Sequence, residues 1–237
     1  MSPRVVSPAE WLNARKELLA AEEEAVRNLN QIAARRREMP AVRIDKDYVF
    51  EGPAGKASLL DLFEGRTQLI VLYFMFDPAW DEGCPVCSLQ ADSVGTLAHL
   101  HARNTSFAAV SRAPISSIEP FRQRMGWTFP WYSSYASDFN YDFHVTHDES
   151  VRPVEYNFRT AQELIDMGEP FFARPGEQGG VSIFFRDDDT VLHTWSGYGM
   201  VTDLLSGNDI RLDLTPLGRQ DETVELRHHD RYTEDAR

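Results

Sequence analysis

Eight consecutive residues, Leu69 to Phe76, are aliphatic or aromatic without interruption, and the run stops at Asp77-Pro78. So short a run, rich in β-branched and aromatic side chains, reads as a strand buried on both faces, with chain packed above and below it. A connection of seven residues then leads to Cys84-Pro85-Val86-Cys87, which holds both cysteines of the 237-residue chain. Pro85 suits the first position of a helix, and Val86, Leu89, Val94, Leu97 and Leu100 recur at roughly helical spacing toward Asn104. Buried strand, short loop and helix therefore place Cys84 at a helix N-terminus.

That position has chemical consequences. Unpaired amide groups and the positive end of the helix dipole favour a thiolate there, which makes Cys84 the natural nucleophile. Cys87, one turn on and facing the same side, can resolve a mixed disulfide. Asp81 and Glu82 lie just before Cys84, and their negative charge opposes a second anion. A disulfide between the pair would close only a tiny loop, with little entropic effect. A zinc site would need two more ligands, and His99 and His101 are spaced His-x-His, a poor match.

The rest of the chain is organised around this junction. Ser7-Pro8-Ala9-Glu10 reads as a capping box and Pro40 as a stop, so residues 8 to 39 form one predicted helix about 48 Å long. Its apolar residues return at Trp11 and Leu12, Leu18 and Leu19, Ala25 and Val26, then Ile32 and Ala33, with Leu29 between. This stripe needs a partner surface, and its length favours the matching helix of a second subunit, a homodimer. Arg35-Arg36-Arg37 suits the negative end of the helix dipole.

From Ala41 onward strands and helices alternate. Tyr48 to Phe50 reads as a strand, Ala57 to Phe63 as a short helix, Thr105 to Ser111 as a strand, and Ile115 to Met125 as a helix closed by Gly126. Thr128 to Ser133 reads as extended, and Val181 to Arg186 with Val191 to Trp195 as a β-hairpin. The expected fold is α/β, a mixed central sheet flanked by helices. The expected organisation is an N-terminal helical extension over residues 1–40, one domain over 41–215 and a polar tail over 216–237, with His228-His229 exposed in that tail.

Acidic residues exceed basic ones enough for a formal net charge of −13, which disfavours nucleic acid and anionic membranes as partners. No apolar run approaches the roughly 20 residues a bilayer span requires, and the N-terminus lacks the apolar stretch of a secretory signal. A cytoplasmic location is the expectation.

Four motifs sharpen the assignment: Gly83-Cys84-Pro85-Val86-Cys87, Ser111-Arg112-Ala113-Pro114, Met125-Gly126-Trp127-Thr128-Phe129-Pro130-Trp131 and Ser137-Asp138-Phe139-Asn140-Tyr141-Asp142-Phe143. Together they resemble the bacterial domain-of-unknown-function family 899, and the order of elements resembles the thioredoxin superfamily in its peroxiredoxin-like layout. The resemblance spans residues 40 to 215. It implies a thioredoxin-like fold and points toward dithiol chemistry, with fold and activity only loosely linked.

The departures are specific. Gly179-Gly180-Val181 stands where thioredoxins carry a proline against the dithiol. Asp77 and Asp81 stand where peroxiredoxins carry a proline and a threonine, with Pro78 one step off, which disfavours a peroxidase of ordinary layout. Trp80 is placed to shield the site.

The expected function is thiol-disulfide exchange or peroxide reduction with Cys84 and Cys87 as catalytic residues, supported by Trp80 and Pro85, and without cofactor or metal. The partners would be a reducing protein or small thiol on one side and a disulfide, peroxide or small organic substrate on the other. An alternative copper module would use Cys84, Cys87 and His144, since His144 and His147 are spaced to share a helix face. A second alternative is a noncatalytic scaffold using the long helix. Trp127, Phe129, Trp131, Tyr132 and Tyr135 read as core in the first instance and as a pocket lining in the second.

Overall fold

A computed structural model describes residues 3–232. Helix α1 (Pro8–Arg37) begins at Ser7, whose hydroxyl accepts from the Glu10 amide, and ends with Arg35, Arg36 and Arg37 in its last turn. Beyond it, the chain forms β1 (Val42–Arg43), β2 (Val49–Gly52), β3 (Gly55–Ser58), β4 (Gln68–Tyr73), β5 (Thr105–Ser111) and β6 (Trp131–Ser133). Two short ribbons follow, one joining β7 (Thr146–His147) to β10 (Gly176–Glu177) and the other β8 (Glu155–Tyr156) to β9 (Arg159–Thr160). The hairpin β11 (Gly180–Asp187) and β12 (Thr190–Tyr198) completes the strands.

Eight of these strands form one sheet in the order β1-β12-β11-β4-β5-β6-β2-β3. Strands β4, β5 and β6 run parallel, and β11 lies antiparallel on the other side of β4. Parallel strands flanked by an antiparallel hairpin, with a helix after the central strand, make the thioredoxin-like arrangement. Strand β4 occupies the centre because its residues suit burial on both faces: Leu69, Val71, Leu72 and Tyr73 are all buried.

The faces form two cores. One gathers Phe63, Val71, Tyr73, Phe139, Phe143 and Phe184. The other gathers Leu72, Phe74, Phe76, Phe121, Trp127 and Trp131 with Cys87.

Several expectations change. The single helix from Cys84 toward Asn104 is two, α2 (Pro85–Ala91) and α3 (Ala98–His101). Asp92 caps the first, and its carboxylate accepts from Trp127 Nε1 at 2.8 Å, so side-chain bonding fixes the chain where the periodicity continues. Ala57 to Phe63 is divided between the end of β3 and a single 3₁₀ turn over Asp61–Phe63, because Ala57 and Ser58 pair with Phe50 and Val49. Helix α4 (Ile115–Arg124) does close at Met125 and Gly126, the latter in left-handed backbone at φ 66°.

His144 and His147 share no helix. Helix α5 (Phe139–Asp142) stops before them, His144 lies at φ 56°, and His147 belongs to β7. Trp127, Phe129 and Trp131 are core, whereas Tyr135 is exposed. Two helices follow α5, namely α6 (Ala161–Asp166) and α7 (Gly207–Leu212). No helix of the described residues is long and apolar enough to cross a membrane.

Candidate active site at the dithiol

Strand β4 hands its chain to the site through Phe74, Met75 and Phe76. Phe74 N–H donates to Val110 O and Ala113 N–H to Phe76 O, so the extension stays tied to β5 and its continuation. The Cys84 amide donates to Met75 O at 3.0 Å, and the Met75 amide donates to Cys87 Sγ at 3.4 Å. One residue thus ties both cysteines to the end of the central strand.

Cys84 has the extended backbone of a cap (φ −61°, ψ 131°) and Pro85 opens α2. The Cys84 thiol is lowered to about 7. The largest cause is a hydrogen bond from the Cys87 thiol; burial opposes it, and the backbone amides of Cys87 and Val86 add to it. Cys87 is buried, and donating to Cys84 together with burial pushes its own thiol well up. The two sulfurs are therefore unequal: one is partly accessible with its thiol lowered, and the other is buried with its thiol raised. Both are free thiols in this structure.

Of the acidic residues before Cys84, Glu82 is held among basic side chains. Glu82 bonds Arg124 at 2.7 Å and Arg231 at 2.6 Å, and His228 Nδ1 lies 3.2 Å from it. Its charge is thus matched before it reaches Cys84. His228, expected to be exposed, is instead buried, because its ring packs edge-on to Phe121 at 5.2 Å. Its Nε2 lies 2.8 Å from Gly83 O, the carbonyl just before Cys84. The neighbouring His229 is exposed as expected and bonds Asp92 at 2.8 Å.

On the other side, Gly179 precedes β11 beside the dithiol. A Cβ at this glycine would stand 3.8 Å from Cys87 Sγ and 3.9 Å from Tyr73 O. Gly179 O accepts from Tyr156 Oη at 2.8 Å. Two residues earlier, Glu177 is buried, and its carboxyl is raised to about 7 by that burial, against the Thr146 hydrogen bond and the charge of Arg112. Thr146 Oγ1 donates to it at 2.9 Å, and Arg112 Nη1 reaches it at 3.4 Å while stacking over Tyr141.

Trp80 is exposed, and its amide closes the turn onto Asp77 O; it takes no part in the hydrogen bonding of the dithiol. The copper alternative is not assembled: among the described residues no three His, Cys, Asp or Glu side chains come together to hold a metal. His144 sits in the turn before β7 and joins no such group with the two cysteines.

Sequence reasoning missed Glu177, Tyr156, Thr146 and His228. Arg112 lay within a recognised motif without a role, and Glu177 stands out in sequence only as an acid within Gly176-Glu177-Gln178-Gly179-Gly180.

A family model described as "Bacterial protein of unknown function (DUF899)" matches residues 1–232. The chain belongs to this family. No curated protein matches the DUF899 chain in sequence.

Among solved structures it is similar to a PrxQ mutant from Xylella fastidiosa, at 13% identity and a TM-score of 0.46, covering 72% of this chain and 94% of that one. The peroxidoxin BcpB of Mycobacterium tuberculosis matches at 12% identity and a TM-score of 0.44, over 71% and 94%. BsSco, of the Sco family of cytochrome c oxidase assembly proteins, matches at 13% and 0.39, over 71% and 93%. The thioredoxin-like assignment of this DUF899 protein rests on its strand order, not on these scores.

Proposed function

We propose that this DUF899 protein is a dithiol oxidoreductase. The observation that carries the reading is the inequality of the two sulfurs at the start of α2, with Cys84 lowered to about 7 and the buried Cys87 donating to it. Near neutral pH the Cys84 thiolate attacks one sulfur of a substrate disulfide. The S–S bond breaks, the leaving thiolate takes a proton from solvent, and a mixed disulfide forms on Cys84.

Cys87 then gives up its proton and attacks Cys84 Sγ, which expels the second substrate thiol and leaves a Cys84–Cys87 disulfide. A thiol reductant, either a partner protein or a small thiol, returns the pair to the dithiol. With a hydroperoxide in place of the disulfide, Cys84 would become a sulfenic acid with release of an alcohol, and Cys87 would condense with it, releasing water.

Turnover of a model disulfide and of a hydroperoxide, followed with a thiol reductant, tests the proposal. Cys84→Ser should abolish turnover, and Cys87→Ser should retain the first attack and accumulate the mixed disulfide. Undiminished turnover in Cys84→Ser would sink it. Alkylation of the reduced protein supplies an independent measure, with a rate that rises through a midpoint near pH 7.

A further inference from the structure

No residue of helix α1 is fully buried, although it runs for 30 residues, about 45 Å, and only its last turns reach the domain, where Arg36 stacks over Trp195. Trp11, Leu12, Leu18, Leu19, Val26 and Leu29 are all exposed along it. They repeat at a strict interval: Trp11, Leu18, Ala25 and Ile32 are seven residues apart, as are Leu12, Leu19, Val26 and Ala33. A seven-residue apolar repeat is the pattern of helices that pack along one another.

Two charges sit on the midline of this stripe. Arg15 and Glu22 also stand seven residues apart, and at helical spacing they fall between the flanking leucines and valine. Within one helix, Arg15 Nη2 stretches two turns along the axis to reach Glu22 Oε2 at 2.8 Å. Its Nη1 is shielded from solvent and has no hydrogen-bond partner among the described residues.

Opposite charges along an apolar seam select register and orientation. In a parallel, in-register pair Arg15 would oppose Arg15 and Glu22 would oppose Glu22. In an antiparallel pair with its two-fold axis between residues 18 and 19, Leu18 of one copy meets Leu19 of the other, Arg15 meets Glu22, and Trp11 meets Val26. Every contact occurs twice, as an isologous interface requires.

The same register sets Ile32 of one copy opposite the segment that precedes α1 in the other, where Val5 is exposed. Ile32 borders a cavity of about 580 Å³ lined by Met39, Trp195 and Val201, at the junction of helix and sheet. The continuation of the seam thus ends on an apolar hollow.

We infer that a second copy of this chain covers α1, in an antiparallel helix pair centred between Leu18 and Leu19 and keyed by Arg15 against Glu22. This interface is independent of the dithiol chemistry.

Light scattering on the full chain at micromolar concentration should give twice the 27.1 kDa protomer mass. Leu19→Asp should halve that mass, with circular dichroism reporting that the domain remains folded. Cross-linking fixes the orientation independently. In a Cys84→Ser/Cys87→Ser background, oxidation of an Arg15→Cys/Glu22→Cys double variant should give a covalent dimer, while either single variant should not.

Positions 15 and 22 of one helix are about 10 Å apart, too far for a bridge within the chain. A monomeric wild type, a dimer that survives Leu19→Asp, or cross-linking of either single variant as complete as that of the double would each overturn the inference.

Discussion

Glu82 and Glu177 lie on either side of the same dithiol, and their surroundings send them in opposite directions. Burial pushes Glu82 up, but the hydrogen bond and charge of Arg124, with Arg231 and His228, outweigh it and hold the carboxyl below its usual range. For Glu177 a deeper burial, with the charge of Asp77, outweighs the hydrogen bonds of Thr146 and Asn140 and the long contact to Arg112, so its carboxyl rises to about 7. Because the folded state holds the Glu177 proton more tightly than the unfolded chain, it binds more protons between about pH 4.5 and 7. The contribution of Glu177 to stability then falls as pH rises through that window. Glu177→Gln should remove that contribution, so that from about pH 4.5 to 7 the urea-unfolding free energy of the variant gains on the wild type by on the order of 3 kcal/mol. An unchanged pH slope in the variant would show that Glu177 is ionised as easily as an exposed carboxylate. The inequality of the cysteines is the counterpart at sulfur, where a neighbouring thiol and two amides lower Cys84.

At the scale of elements, the loop before α2 is held by parts of the chain far from it in sequence. Gly83 is buried, and a Cβ there would come within 2.6 Å of the Phe74 ring and 2.8 Å of the Phe121 ring. Gly83→Ala should therefore cost about 1–3 kcal/mol in urea unfolding and shift Cys84 off its capping position, slowing alkylation near neutral pH. His228→Ala removes the donor to Gly83 O and should cost a similar amount, about 1–3 kcal/mol, because the carbonyl is left unsatisfied in a buried place. If the His228 variant unfolds at the wild-type urea concentration, the C-terminal segment does not brace the loop. These long-range ties also explain what the sequence could and could not reveal. Thr105 to Ser111, the hairpin and α4 were legible because pattern, turn residues and caps act within a few positions. The break between α2 and α3 was not, since Asp92 is engaged by Trp127 and His229 from distant segments. His228 read as exposed in a polar stretch, and only the Phe121 ring and the Gly83 carbonyl give it a buried place.

Across the whole molecule, the central strand joins two aromatic cores to one pair of sulfurs, so the redox state of the dithiol is linked to the stability of the fold. A Cys84–Cys87 disulfide would close a loop too short to restrain the unfolded chain appreciably. The reduced form has a compensating term that the oxidised form lacks. The Cys84 thiol is lowered to about 7 on folding, below its ordinary value in an unfolded chain. A depressed acid of this kind contributes its full stabilisation above the unfolded value and loses it as pH falls through the folded one. The window is therefore from about pH 7 to about 9, and Cys87, whose thiol is pushed up, begins to oppose the gain only above it. Reduced protein should gain on oxidised protein by about 2 kcal/mol between pH 6 and pH 9. Paired urea titrations of the two redox forms at several pH values measure this difference directly. Stabilisation of the reduced form also makes the disulfide a stronger oxidant, so the measured reduction potential should become less negative, relative to an ordinary dithiol, over the same interval. A stability difference that does not change with pH would mean that the thiolate at the start of α2 gains nothing from its neighbours, and that the unequal pair is inert.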